Sequence, residues 1–161
     1  GEKLAVVLVQ FSPRIRASEL GRIEGFLRGL PGEFRFAVEP RHRSWLTEPR
    51  LPGLLSELNM ALVMADHDYY PRFDAVTADI AYVRLLGRHG ALPDATRAHA
   101  PRDEDLFAWA ERLKQLPPKV QCVYLYANNQ FEGHSPCTIR KVRELLPGAA
   151  APSAAKGRLD L

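Results

Sequence analysis

Five short apolar stretches recur along the chain, and their alternation with helical patterns constrains the fold more than any other feature. The first is Leu4–Phe11, a continuous valine-rich run of the kind found in strands that are buried on both faces. The other four follow at Glu33–Glu39, Met60–Asp66, Ile80–Leu86 and Val120–Tyr126. Parallel strands need a crossover connection, usually a helix, before the next strand can begin. The sequence therefore predicts an α/β fold.

Helical patterns lie between most of these stretches. Ser18–Leu30 carries apolar residues at helical spacing, and Leu51–Leu58 is a shorter segment of the same kind. Asp103–Leu116 has three acids in its first turn and a lysine near its end, the charge order that a helix dipole favours. The last helix runs to Leu146, with Ser135 as its N-cap and a proline next.

Two parallel architectures fit five strands, an open doubly wound sheet and part of a (β/α)₈ barrel. The chain has neither G-x-G-x-x-G after a strand nor G-x-x-x-x-G-K-[ST], so no nucleotide-cofactor motif supports the open sheet. A whole barrel needs eight strands and about 250 residues, whereas the chain has 161. The sequence predicts a partial TIM (β/α)-type barrel over residues 1–147 and a flexible tail at 148–161. Because such a partial barrel exposes two strand edges, we expect self-association or a missing N-terminal segment.

Composition narrows the class of protein without indicating a reaction. Apolar residues make up 46% and charged residues 25%, which excludes a disordered, collagen-like or coiled-coil chain. The chain has a net charge of +3 but no block of like charges of the kind typical of membrane-surface binders. It also has no apolar run long enough to span a bilayer. With two cysteines and no signal-peptide pattern, the predicted compartment is the cytoplasm.

Polar side chains follow the carboxyl end of each predicted strand, where barrels and open sheets bind their ligands. The residues at these ends are Gln10, Glu39, Arg41, Asp66, Arg88, Tyr126, Asn128 and Asn129. Arg84 differs because it lies within a strand, where parallel sheets usually place an apolar side chain. A buried guanidinium needs a carboxylate, and Glu39 and Asp66 are available. Arg84 is thus either half of a structural ion pair or an anion ligand, and the two roles are compatible.

An ordered set of motifs carries a resemblance to a known family. The motifs are Gln10-Phe11-x-Pro13, Glu39-x-Arg41-His42-x-Ser44-Trp45, Ala65-Asp66, Tyr82-Val83-Arg84-x-x-Gly87-Arg88 and Tyr124-x-Tyr126-x-Asn128-Asn129, with Gly133-His134 in register. Together they resemble the YecE-like family (domain of unknown function 72). The resemblance implies the later part of a TIM-type barrel related in shape to sugar isomerases, and it implies no particular reaction. Arg43 departs from the family pattern, which usually has proline there.

The first candidate chemistry is an anion site. Arg41, Arg84 and Arg88 are predicted to converge on one rim, and the last helix begins beside them near His134. Free N–H groups at a helix N-terminus suit phosphate or carboxylate. The alternative is that Ser135 only caps that helix.

The second candidate is acid–base catalysis by His42, assisted by Glu39 and Asp66. The alternative is a histidine that hydrogen-bonds to its own loop. A divalent metal held by these carboxylates and His67 is less favoured, because arginines in the same mouth oppose a cation and no metal-binding spacing is present. Whether any other cofactor is used stays open.

Aromatic residues offer a third type of contact. Trp45 and Tyr126 are able to stack on a sugar or a base, and the alternative for each is a place in the core. The sequence favours a protein that binds and transforms a small anionic molecule, phosphorylated or sugar-like. The alternative is a nucleic-acid-binding module or nuclease that uses the same arginines on phosphates.

Overall fold

The structure is a computed structural model that describes residues 4–88, 90, 92, 95–146 and 148. Its strands are β1 (Val7–Gln10), β2 (Phe36–Glu39), β3 (Ala61–Leu62), β4 (Met64–Asp66), β5 (Ile80–Leu85) and β6 (Cys122–Ala127). Its α-helices are α1 (Leu20–Arg28), α2 (Arg50–Glu57), α3 (Asp103–Lys114), α4 (Asn129–Glu132) and α5 (Ser135–Leu145). Each stretch predicted as a strand or helix overlaps an observed element of that kind. The order of strands and helices confirms an α/β fold.

The described strands form two three-stranded parallel sheets, β1-β2-β3 and β4-β5-β6. This corrects the prediction of five strands, because Met60–Asp66 is divided into β3 and β4. Ala61 and Leu62 pair with β2, whereas Met64–Asp66 pairs with β5. Only Val63 separates the two segments, and its N–H donates to the Val38 carbonyl at 2.9 Å. One continuous stretch of chain therefore contributes to both sheets.

Helices cover one side of each sheet. Leucines of α1 and α2, together with Ile23, pack with Phe36, Val38 and Leu62 in a core beneath β1–β3. Leu106 and Trp109 of α3 pack in a second core beneath β4–β6. The opposite side of the sheets carries small residues, including alanines of β2, β3 and β4, packed with the Tyr82 ring. The site described below lies on this second side, at the carboxyl ends of the strands.

Three short elements were not predicted. They are 3₁₀ turns at Ala17–Glu19 and Arg43–Thr47, and helix α4, which directly follows β6. Each is too short to produce a recognisable hydrophobic period. The predicted tail at 148–161 lies outside the described residues except for Gly148. Among the helices that are described, none combines the length and apolar character needed to cross a membrane.

Candidate functional site

The register of the strands brings three site side chains to one place. Gln10 at the end of β1 pairs with Glu39 at the end of β2. In the other sheet, Arg84 of β5 lies between Ala65 and Tyr126 of its neighbouring strands. Side chains alternate between the two sides of a strand, so the small Ala65 leaves room above β4. Arg84 extends across that room to the first sheet.

The centre of the site is the carboxylate of Glu39, whose residue is 1% exposed. Its Oε1 accepts a hydrogen bond from Arg41 Nε at 2.7 Å, and its Oε2 accepts one from Arg84 Nη1. The same Arg84 nitrogen donates to Gln10 Oε1 at 2.9 Å, and Arg41 Nη2 also donates to that oxygen. The predicted pairing of Arg84 with a carboxylate is therefore present, and Glu39 is the partner.

The charges of this cluster do not balance. Two guanidinium groups meet one carboxylate, and the Gln10 amide that completes the cluster is neutral. The Arg41 and Arg84 side chains are 17% and 21% exposed, so both are largely withdrawn from solvent. Electrostatic interactions are stronger in such partly desolvated surroundings than in water. The cluster carries one net positive charge next to an open pocket.

A pocket of about 230 Å³ lies against these guanidinium groups. Its lining is Arg41, His67, Tyr70, Arg84, Leu86, Gly87, Asn128 and Gln130. Most of these side chains are polar. Arg84 lies within β5, and the others come from the segments that follow β2, β4, β5 and β6. The carboxyl ends of both sheets therefore contribute to a single pocket.

Stacked rings form one wall of the pocket. The His67 and Tyr70 rings lie 4.1 Å apart at 29°, and the Arg41 guanidinium lies 4.5 Å from the centre of the Tyr70 ring. His67 Nδ1 accepts a hydrogen bond from the Tyr69 N–H at 3.0 Å, so the neutral ring carries its proton on Nε2. Burial is the main cause that lowers the pKa of His67 below its ordinary value, and the charge of Arg41 lowers it further against the opposing effect of Asp68. The lowered pKa favours the neutral form of His67.

Gly87 fixes the wall formed by the segment after β5. Its φ of +65° lies in the left-handed region, and a Cβ there would stand 2.1 Å from the Gln130 carbonyl oxygen. Only glycine permits this conformation and this close approach together. The segment after β5 therefore packs directly against the start of α4.

Asp66 faces the other side of its sheet. Its Oδ2 accepts from Trp109 Nε1 at 2.8 Å and its Oδ1 accepts from Arg102 Nη2 at 3.2 Å. The expectation that Asp66 joins Glu39 and His42 is wrong for a simple reason. Asp66 is the residue after Ala65, and alternation directs its carboxylate toward α3.

His42 and Trp45 also have structural partners. His42 Nδ1 accepts from the Ser44 N–H at 3.1 Å and lies 2.9 Å from Ser44 Oγ, so the ring caps the 3₁₀ turn that begins at Arg43. Trp45 is 1% exposed, donates from Nε1 to the Ile15 carbonyl at 2.9 Å and packs against Phe11. Neither side chain lines the pocket, which matches the alternative stated for each.

Arg88 and Tyr126 lie near the pocket without lining it. The exposed Arg88 guanidinium is 5.7 Å from the centre of the Tyr69 ring, and the residue does not line the pocket that Arg41 and Arg84 share. Tyr126 is 49% exposed and stacks on Tyr82 at 5.2 Å. Burial and the neighbouring Tyr126 raise the pKa of Tyr82. Both tyrosines are on the same side of the sheet as Arg84.

The residues after β6 are occupied by helix capping. Asn128 Oδ1 accepts from the Gln130 N–H at 2.9 Å, and Asn129 Oδ1 accepts from the Ser135 N–H at 2.8 Å. His134 is the N-cap of α5, and its Nδ1 lies 3.0 Å from the sulfur of Cys137. Of these predicted ligand-binding residues, only Asn128 lines the pocket.

The sequence matches the family described as "Protein of unknown function DUF72" over residues 1–158. The chain belongs to the DUF72 family. This confirms the resemblance drawn from the motifs. No curated protein matches the chain.

Two solved structures of DUF72 proteins share the fold. The protein from Thermotoga maritima MSB8 is 22% identical, with a TM-score of 0.74 over 90% of this chain and 58% of its own. The protein from Enterococcus faecalis V583 is 20% identical, with a TM-score of 0.69 over 93% of this chain and 61% of its own. The chain thus spans about three fifths of the length of these DUF72 structures.

Several residues that line the pocket are not among those that the sequence predicts for an anion site. They are Tyr70, Leu86, Gly87 and Gln130, together with His67, which was considered only as a metal ligand. The sequence signal available for His67 was its position directly after a strand. Within the described part of the chain, no three His, Cys, Asp or Glu side chains are grouped closely enough to hold a metal ion.

Proposed function

We propose that this DUF72 protein binds a small anionic molecule in the pocket beside Glu39. The observation that carries the proposal is the pair of guanidinium groups, Arg41 and Arg84, that share one buried carboxylate. Glu39 holds both groups in fixed orientations through charge-assisted hydrogen bonds. The remaining positive charge attracts an anion, and the arrangement of arginines exists before the ligand arrives.

The pocket supports a phosphorylated or sugar-like ligand. Its polar lining includes the amides of Asn128 and Gln130 and the ring of Tyr70, which suit hydroxyl groups better than a purely apolar body. The volume of about 230 Å³ accepts a small molecule rather than a polymer.

A partial TIM-type barrel accounts for the way both sheets build one site. Val63 alone separates β3 from β4, and Arg84 of the second sheet bonds to Glu39 of the first. We propose that the two sheets are continuous sections of one barrel wall, with the pocket at its carboxyl rim. TIM-barrel enzymes have their active sites at that rim.

His67 is the histidine positioned to contact the ligand, because it lines the pocket. Its Nδ1 accepts the Tyr69 N–H, so the neutral ring offers Nε2–H as a hydrogen-bond donor to a bound anion. His42, by contrast, does not line the pocket.

Nucleic acid is the less favoured partner. Several exposed arginines are neutralised by acids of the same surface, among them Arg28 with Glu57 at 2.8 Å and Arg50 with Glu48 at 2.9 Å. A phosphate backbone requires a row of available cations instead.

The test is calorimetric titration of the full chain with a hexose monophosphate, inorganic phosphate, the unphosphorylated hexose and a short single-stranded DNA. We expect the two phosphates to bind and the neutral sugar to give no signal. Arg84→Met should weaken phosphate binding roughly tenfold or more, because a charge-assisted contact is lost.

Arg35→Met is the matched control, because Arg35 pairs with Asp79 at 3.4 Å just before β2, at the opposite end of the strand from the pocket. It should bind phosphate like the wild type. Arg84→Lys keeps the charge and serves if Arg84→Met does not fold, with weaker binding expected because lysine lacks the guanidinium fork. Phosphate binding as tight as that of the wild type in a folded Arg84→Met or Arg84→Lys variant would contradict the proposal, as would binding of the DNA alone.

A further inference from the structure

The oxygen of Gln10 occupies a position where two positive groups converge. Gln10 Oε1 accepts a hydrogen bond from Arg84 Nη1 at 2.9 Å and a second one from Arg41 Nη2. The two arginines come from different sheets, and each also bonds to Glu39. Two guanidinium groups fixed by a buried carboxylate therefore point at a single oxygen atom.

An amide oxygen is the weaker occupant of such a position. Hydrogen bonds from a guanidinium to a charged oxygen are shorter and stronger than those to a neutral one, because both partners then carry charge. The cluster has one net positive charge that the Gln10 amide leaves uncompensated. A carboxylate or phosphate oxygen at the same point would compensate it.

The Gln10 side chain is also able to move away from the two arginines. It is an exposed residue at the end of β1, and β1 pairs with β2 on one side only within the described strands. Rotating this side chain into solvent breaks two hydrogen bonds without opening the core. Water then replaces the lost partners of the amide.

We infer that Gln10 is a displaceable occupant of an oxyanion subsite between Arg41 and Arg84. The incoming ligand places one carboxylate or phosphate oxygen where the amide oxygen stood, and the Gln10 side chain rotates into solvent. This inference rests on the proposed function and goes beyond it, since Gln10 competes with the ligand rather than binding it.

Two substitutions at Gln10 distinguish a side chain that competes with the anion from one that helps to bind it. Gln10→Ala removes the competitor, and both inorganic phosphate and acetate should then bind about threefold to tenfold more tightly than to the wild type. Gln10→Glu places a carboxylate in the subsite permanently, so phosphate binding should fall at least tenfold while the melting temperature rises. A gain confined to phosphate or to acetate identifies which oxyanion the subsite prefers.

Gln121→Ala and Gln121→Glu are the matched controls, because Gln121 is exposed just before β6 at the far end of the sheet. Neither should alter anion binding, and Gln121→Glu should not raise the melting temperature. Weaker anion binding by Gln10→Ala would overturn the inference and make Gln10 a positioning residue for the arginines.

Failure of the proposed function has a different signature. In that case the folded wild type binds neither anion, while Gln10→Glu still reports on the subsite through its melting temperature. A rise relative to Gln121→Glu supports a subsite that accepts a carboxylate oxygen. No rise overturns it.

Discussion

Glu39 and Asp66 follow the same pattern in the sequence and have opposite roles in the structure. Each is the last residue of a strand, and each is buried with arginine partners. Glu39 lies on the side of the sheet that bears the pocket and holds two arginines beside it. Asp66 lies on the helix side, where Trp109 and Arg102 close over it. One carboxylate organises a site and the other fastens a helix to a sheet.

The difference shows that side-chain alternation decides whether a polar strand end faces the pocket or the helices. A one-residue change of position moves a side chain to the other side of a strand.

Glu39→Gln should cause the largest loss of stability. It leaves Arg41 and Arg84 without a compensating carboxylate. Breaking a buried ion pair costs about 3 kcal/mol or more. We expect a loss near the low end of that range, because both arginines keep some contact with solvent. Urea unfolding measures the free energy, and phosphate titration should show weaker binding because the arginines lose their fixed orientation. An unfolding free energy equal to that of the wild type would contradict the role of Glu39.

Asp66→Asn should destabilise the protein by about 1–2 kcal/mol, because the amide keeps one acceptor for Trp109 or Arg102 and loses the charge. Phosphate affinity should stay within about twofold of the wild type, a difference below 0.5 kcal/mol. Equal loss of phosphate binding in this variant and in Glu39→Gln would erase the distinction between the two carboxylates.

His67 gives the site a pH dependence. Its pKa is lowered in the folded protein, so between its ordinary and lowered values the unfolded chain binds more protons. The resulting loss of stability develops as the pH falls below about 6.5 and is complete below the folded-state pKa. Urea unfolding at pH 7.5 and 5.5 should show a smaller decrease for His67→Asn than for the wild type. An identical decrease in both proteins would show that His67 does not titrate in this way.

Arg88→Ala should have the smallest effect on folding. The side chain is exposed and its guanidinium lies 5.7 Å from the Tyr69 ring, a contact worth little at the surface. The melting temperature should therefore change little. Phosphate affinity should fall far less than in Arg84→Met, and a comparable fall would place Arg88 in the binding site after all.

Hydrophobic periodicity predicted the strands and helices because burial depends on local pattern. It did not reveal the division at Val63, because Val63 is apolar like its neighbours and the apolar run continues through it without a break. The change of partner there depends on hydrogen bonds to β2 and β5, which are distant in the sequence.

The parts of the site that lie at strand ends or within strands could be predicted from the sequence. Gln10, Glu39, Arg41 and Arg84 were identified from strand ends and from a charge within a strand. Tyr70 and Gln130 lie in irregular or short segments, where no period indicates which way a side chain points. Arg102, the partner of Asp66, is 36 residues away in the sequence and was not predicted as a partner.

The most direct test of the anion pocket is to locate the anion itself. Crystals of the full chain soaked in selenate allow the selenium atom to be found by anomalous scattering. We expect a selenium peak whose selenate oxygens lie about 3 Å from guanidinium nitrogens of both Arg41 and Arg84, and no such peak in Arg84→Met crystals. Selenate bound only elsewhere, or a peak that persists in Arg84→Met, would contradict the proposed anion pocket.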